Sequence, residues 1–370
     1  MPSWVGIVRS TIADYLREAE PAALRNRVFF GMLEKLGRIK YNCSGDYVDW
    51  PIKKKRATMS PYEDFMTMQF GRMNRLERPI LDWRGYTATE ALSEMDKLKN
   101  RGPQAIVKIF SEMTETLMED CEEFIHGEVY TDGNASGNEN KWHGLESIFG
   151  TTGSVLTGNS RVFNPSDTYA NISTSLGTFG GSWSYAPSTT NVEWPNGAGD
   201  ISYEAWSPLV IDIRSTAYGT GATTWKGNCM AAMSYACTSG YRNAGDDKNK
   251  VFLLDREWLG ELKDELRLKE KIEVTSTDTP LHSLGFQRLR FDGYDVTTEY
   301  GLPRSSSAND TKVGYFLDFS KIEFMCMYPK MFEVKGPEWD VQRQAYLLLI
   351  NSFGNMRFKS PRYQTKLMAS

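Results

Sequence analysis

"PQAIVKIFSEMTETLMEDCEEFIHG", residues 103–127, decides how the rest of the chain is read. Ile106, Phe110, Met113, Leu117, Cys121 and Phe124 recur at intervals of three and four. That interval puts side chains on one side of an α-helix and predicts one face packed on a core. Glu112, Glu115, Glu119, Asp120, Glu122 and Glu123 take most of the remainder. Pro103 suits a first helical turn, and Gly127 suits a stop. One unbroken helix over 103–127 would be about 37 Å long.

The residues that follow raise a chemical question. Residues 124–150 hold two of the three histidines, His126 and His143, among Glu128, Asp132, Glu139 and Glu146. A zinc pair on a helix needs its imidazoles one turn apart. Here sixteen residues separate them, six of them Gly or Asn, and nothing in the spacing aims them at one point. The simpler expectation is a helix end followed by an ordered turn, with Trp142 and Leu145 returning to the core. A metallohydrolase on His126, Asp132 and His143 stays as a rival that metal analysis would settle.

Upstream, residues 21–40 carry Leu24, Val28, Met32, Leu36 and Ile39 on one side of a short expected helix. From Arg25 to Arg84 basic residues outnumber acidic ones thirteen to seven. Within this region Pro51, Pro61 and Pro79 punctuate β-formers with no helical stripe. A long hairpin is expected there, and such a hairpin is marginal unless it lies on something. Thr89 is the expected cap of a helix over "EALSEMDKLK".

Downstream, only Arg161, Asp167, Glu193 and Asp200 carry charge between 150 and 200. Short strands and loops are expected in this polar stretch, and a carbohydrate-binding β-module is a rival reading of it. Residues 225–241 and 256–271 read as helices and 250–255 as a buried strand. In "FQRLRFDGYDVTTEYG" apolar and polar residues alternate on both sides of Asp292-Gly293, a favoured tight turn. Residues 315–327 and 343–358 suggest two long strands. Helices, then a polar β-rich stretch, then mixed elements and strands make an α+β chain.

The totals narrow the function. The chain has 370 residues, and a core stops growing at about 250–300, so at least two lobes are expected. A net charge of −4 is too mild to predict a nucleic-acid partner, which usually needs a basic face. Cys43, Cys121, Cys229, Cys237 and Cys326 form no C-x-x-C pair, and their odd number fits reduced thiols. No export signal or membrane span is read in the sequence. Neither G-x-S-x-G nor a phosphate-binding P-loop is present. No catalytic, cofactor-binding or metal-ligating residue is therefore expected, and no enzyme activity. The run Lys53, Lys54, Lys55 and Arg56, with Arg72, Arg75 and Arg78 nearby, reads as a solvated hairpin tip or one that meets acidic residues on a neighbour, ahead of a nucleic-acid contact, since one short patch gives few phosphate contacts.

An ordered set of local stretches completes the reading: "HGEVYTDG", "HGLESIFG", "YANISTSLGTFGGSW", "WSPLVIDI", "LGFQRLRFDGYDVTTEYGLP" and "FGNMRFKSPRYQTKLMAS". Together with the order of elements, from about residue 24 onward, they resemble the major capsid proteins of tailed bacteriophages, the Hong-Kong-97-like fold. The resemblance implies an N-terminal arm (1–45) and an E-loop (46–86). It implies a peripheral (P) domain over 87–149 with its spine helix at 103–127, and an axial (A) domain over 150–312. Further P-domain strands would occupy 313–351 and a C-terminal A-domain strand 352–370. It implies hexamers and pentamers tiling an icosahedral shell around double-stranded DNA, held without sequence specificity. The E-loop cations would meet a neighbour's Glu112, Glu115 and Glu119. A portal, a decoration protein and, since about two dozen residues precede the match, a separate scaffolding protein are the expected partners. The chain would be made in host cytoplasm and end in the virion. The prototype's lysine–asparagine cross-link has candidate residue types in Lys53 to Lys55 and Asn351, but is not expected here. An encapsulin-like bacterial compartment shares the fold and is the alternative.

Overall fold

The computed structural model describes residues 27–54, 61, 63–67, 70–71, 74–99, 103–156, 159–176, 178–179, 206–240, 249–269, 289–299, 302 and 312–369. Six α-helices lie among them: α1 (Val28–Lys35), α2 (Glu94–Lys99), α3 (Pro103–Glu128), α4 (Glu146–Phe149), α5 (Trp225–Gly240) and α6 (Arg256–Lys269). Two sheets carry the core.

The five-stranded sheet is built on the 14-residue strand Ala345–Phe358. Strand Arg84–Ser93 pairs with it from Ala345↔Ser93 to Gly354↔Arg84. The opposite edge is shared in succession by Glu333–Asp340 and Ile322–Cys326, and Ile39–Lys40 adds a parallel strand to the latter. Helix α3 lies on this sheet, with Phe110 edge-on to Tyr346 at 6.0 Å and Phe124 edge-on to Tyr86 at 5.0 Å. Helix α1 fills one end, where Phe29 meets Phe319 and Phe30 meets both Phe324 and His126.

The eight-stranded sheet runs Leu289–Phe291, Tyr294–Thr298, Lys250–Leu254, Val313–Asp318, Thr365–Met368, Leu209–Asp212, Asn159–Ser166, Thr151–Leu156. It is mixed, with two parallel pairings. Its central strands are buried at every residue, as strands covered on both faces must be. Helices α5 and α6 meet through Trp225 and Trp258, stacked at 4.2 Å, and Trp225 Nε1 donates to the Trp258 carbonyl at 3.0 Å.

Several expectations need correction. Thr89 caps no helix: residues 84–93 are a strand, because ten consecutive partners on 345–358 complete their backbone hydrogen bonds. The helix starts later, and Ser93 caps it, its Oγ accepting from Asp96 N at 3.1 Å. The strand expected over 315–327 breaks at the 3₁₀ turn Phe319–Lys321, where Asp318 accepts from Ser320 N at 2.9 Å. Its halves join different sheets. Residue 351 lies inside an unbroken strand, so the chain leaves the five-stranded sheet after 358, not 351. The helix expected over 21–40 is α1 alone within the described residues; Gly37, at φ 62°, ends the turn and Ile39 is in a strand. Helix α3 runs one residue past the expected Gly127 stop.

The long hairpin is present. Tyr47–Asp49 pairs with Ile80–Asp82 and Ile52–Lys53 with Leu76–Glu77. The Asp292-Gly293 turn also forms as read, both residues at positive φ (49° and 84°), as a two-residue hairpin loop of this kind requires.

Candidate assembly surfaces

Three surfaces matter: the turn after α3, the hairpin, and the outward side of α3. The turn is tied down by side chains reaching carbonyl oxygens. Arg84 donates to the carbonyls of Gly133 (2.7 Å), Asn138 (3.3 Å) and Lys141 (2.7 Å). Trp142 is fully buried; its N–H donates to Tyr86 Oη at 3.0 Å and its indole N–H to the Arg84 carbonyl at 3.3 Å. Tyr86 in turn donates to Glu128, and burial together with that bond raises its pKa. Gly144 permits the closest approach: a Cβ there would sit 2.4–2.7 Å from the carbonyl oxygens of Val129, Thr131 and Glu128.

The two histidines are core residues in separate surroundings. His126 is edge-on to Phe30 at 5.9 Å and His143 to Tyr169 at 5.9 Å. Burial, and then a nearby arginine in each case, pushes both down to about 3. Both are therefore neutral at physiological pH. Among the described residues no group of three His, Cys, Asp or Glu side chains is placed to hold a metal.

Two carboxylate clusters brace the fold. Glu323, buried, accepts from Arg38 (3.2 Å), Lys359 (2.8 Å) and Arg357. Burial works against its charge, but the hydrogen bonds from Lys359 and Arg357 outweigh it and hold the pKa below the usual value. Asp132 and Asp167 are half-buried and hydrogen bond to each other. Burial and the charge of Asp132 push Asp167 up to about 6.

The hairpin is different. Its base is held by Trp50 Nε1 to the Lys359 carbonyl (2.9 Å) and Trp83 Nε1 to the Gly45 carbonyl (2.8 Å). Two of its expected contact cations are satisfied within the hairpin: Lys54 pairs with Glu77, and Arg78 with Asp49 at 3.0 Å. Lys53 lies in a strand, and the Arg75 carbonyl accepts from Lys54 N at 2.9 Å. Lys55, Arg56 and Arg72 lie outside the described residues. Toward the tip, Phe65 and Phe70 are 101% and 94% exposed. Phe65 sits at φ 66° in a turn closed by Met66 N to the Glu63 carbonyl at 3.0 Å. Sequence reading picked the cations and missed these two rings, because an aromatic residue in a sequence looks like core.

On α3, Glu112, Glu115 and Glu119 are exposed, and Glu112 has only Lys108, one turn away at 3.6 Å, as an ion-pair partner among the described residues. Among the described residues no ion pair joins them to a hairpin cation of the same chain. Beside them, between α3 and the five-stranded sheet, opens a pocket of about 300 Å³. Tyr86, Ala88, Cys121, Phe124 and Ile350 line it, with Asp120 in its wall. Asn351, the candidate cross-link residue, is buried within the subunit, and its Oδ1 accepts from Thr87 Oγ1 at 3.2 Å.

Two solved structures resemble this arrangement over nearly its whole length. A capsid chain of a native GTA particle matches with TM-score 0.54 and 11% identity, over 92% of this chain and 91% of its own. A chain of the cyanophage A-1(L) capsid asymmetric unit matches with TM-score 0.55 and 12% identity, over 91% of each. The chain has the Hong-Kong-97-like capsid fold. No protein-family profile matches it, and no curated protein matches it either. The likeness to these two structures thus lies in the order and packing of elements, since about one residue in ten is shared. No described helix is long and apolar enough to cross a membrane.

Proposed function

We propose that this chain is the major capsid (head) protein of a tailed bacteriophage. Copies assemble into hexamers and pentamers that close an icosahedral shell around double-stranded DNA. The observation that carries this reading is the match of nine-tenths of the chain to two capsid chains. The hairpin supports it: its base packs on the subunit's own core through Val48, Trp50, Ile52 and Leu81, while Phe65 and Phe70 farther out stay exposed.

In this reading residues 1–45 are the N-terminal arm, the hairpin is the E-loop, and α3 is the spine helix. The five-stranded sheet with α3 is the P domain and the eight-stranded sheet with α5 and α6 is the A domain. One boundary then falls between α3 and strand Thr151–Leu156, and the other two at the 3₁₀ turns Phe319–Lys321 and Pro361–Tyr363. Contacts around each ring are heterologous, one surface of each copy meeting a different surface of the next. The hairpin cations Lys53, Lys55, Arg56, Arg72 and Arg75 and the helix carboxylates Glu112, Glu115 and Glu119 face each other across that contact. Each exposed pair is worth at most about 1 kcal/mol, so most of the strength comes from apolar area. The chain has no enzymatic role in this reading. A portal and a decoration protein are its partners in the virion, and a separate scaffolding protein is its partner during assembly.

Expressing the chain with its neighbouring structural genes and imaging the product tests this. Closed shells that package DNA are expected. Shells that enclose a cargo enzyme instead would assign the chain to an encapsulin-like compartment, and a permanently monomeric product would overturn the shell reading. Deleting 50–80 should leave a folded subunit that forms no normal shells.

A further inference from the structure

The exposed rings at the hairpin tip and the pocket beside α3 have no counterpart within the described parts of one chain. Phe65 and Phe70 are almost wholly exposed, although an aromatic ring is the largest apolar payload a side chain carries. Phe65 also holds a left-handed backbone conformation, which a bulky residue adopts only at an energetic cost. Neither the exposure nor the strain serves the fold of the isolated subunit. The pocket is the complementary feature. It is apolar, and an apolar cavity of about 150 Å³ already admits a benzene-sized ring, so about 300 Å³ accommodates a phenylalanine side chain.

Charge identifies the occupant. The wall includes Asp120, and Glu119 and Glu123 are exposed beside it. Burial and the nearby Asp120 raise the pKa of Glu90 on the neighbouring strand, another sign of accumulated negative charge at this wall. The hairpin is the basic part of the chain: Lys53, Lys55, Arg56, Arg72 and Arg75 flank the two rings in sequence. Glu63 and Asp64 precede Phe65, so the sign match with the acidic rim belongs to the Phe70 side of the tip, where Arg72 and Arg75 follow.

We propose that Phe65 or Phe70 of one copy inserts into the pocket lined by Tyr86, Ala88, Cys121, Phe124 and Ile350 of the next copy. This rests on the shell reading and deepens it: the apolar knob supplies strength and the surrounding charges supply register. The contact is heterologous, so it propagates around a ring. A ring buried at the centre of a contact with charges at its edge is the usual anatomy of an interface anchor.

Cys121 is a built-in reporter. It lines the pocket and is half-buried; Cys43 is the other half-buried thiol, and Cys229, Cys237 and Cys326 are buried. Full-length F65C and F70C variants are to be assembled, oxidised with copper phenanthroline, and mapped by peptide mass spectrometry. Burial pushes the Cys121 thiol up to about 11, so mild alkaline conditions help the reaction. At least one variant is expected to give an intermolecular link to Cys121 and a ladder on a non-reducing gel, and C121S should abolish both. Shells in which neither introduced thiol reaches Cys121, or in which both couple to Cys43, overturn the insertion while leaving the shell reading intact. A link within one monomer also overturns it. A chain that never assembles defeats both. As a check without cysteine chemistry, the double variant F65S/F70S should keep the wild-type melting temperature and lose at least tenfold in shell yield; unchanged yield would refute the insertion.

Discussion

The turn at 129–145 and the hairpin at 47–82 are both irregular, polar and poor in helical pattern, yet the structure treats them oppositely. The turn is closed from within: Arg84 reaches three of its carbonyls, and Trp142 is sealed beneath. The hairpin is fixed at its base, pairs two of its cations internally, and ends in exposed rings. A segment whose backbone groups are satisfied by its own subunit contributes to folding. A segment that keeps apolar surface in water has that contribution waiting in an association.

That contrast is open to measurement, beginning with the largest effect. Trp142→Ala should cost about 3–5 kcal/mol in urea unfolding, the range for removing a large buried aromatic side chain. A loss below about 1 kcal/mol would mean the turn is not held as described. Glu323→Ala should cost roughly 2 kcal/mol, less than a fully buried cluster because its basic partners are partly exposed. Its pH dependence has a definite sign. A carboxyl with a lowered folded pKa stabilises above its unfolded value, near 4.5, and loses that contribution as pH falls through the lowered value. Acid titration of wild type against the variant should show the gap closing below that point.

Asp167→Asn should act in the other direction. A raised folded pKa, about 6 against 3.8, means the ionised pair burdens the fold above pH 6 and not below about 4. The variant should therefore gain roughly 1 kcal/mol, after screening by solvent, above pH 6. Melting curves that show an equal gain at both ends of this range would remove the shared-proton account. The smallest effect belongs to the hairpin: Arg78→Ala should shift stability by no more than about 0.5 kcal/mol, its pair being exposed. A larger loss in the isolated subunit would erase the distinction between the two regions.

Much of the architecture could be read from residues alone, for local reasons. The α3 stripe and the Asp292-Gly293 turn announce themselves because periodicity and φ preference are properties of neighbours in sequence. Thr89 misled because its fate was set by strand 345–358, more than 250 residues away. The break at 319 was hidden because Asp318 caps its own backbone, a choice that polar residues make in many contexts. Arg84 could not be recognised as the organiser of the turn, since carbonyl oxygens leave no mark in a sequence. The tip phenylalanines were missed for the converse reason: composition shows that a ring is apolar, but not on which side of the surface it lies.

Of the three places where the chain passes between its sheets, the last two are joined to each other. Lys359 N donates to the Lys321 carbonyl at 2.9 Å, and Gln364 and Asp318 exchange hydrogen bonds at 3.0 and 3.2 Å. Val251 and Tyr315 of one sheet lie in the same buried cluster as Phe324 and Phe358 of the other, so the joined crossings sit beside a core that the two sheets share. A push on one sheet is then passed to the other through packed side chains as well as through the chain itself.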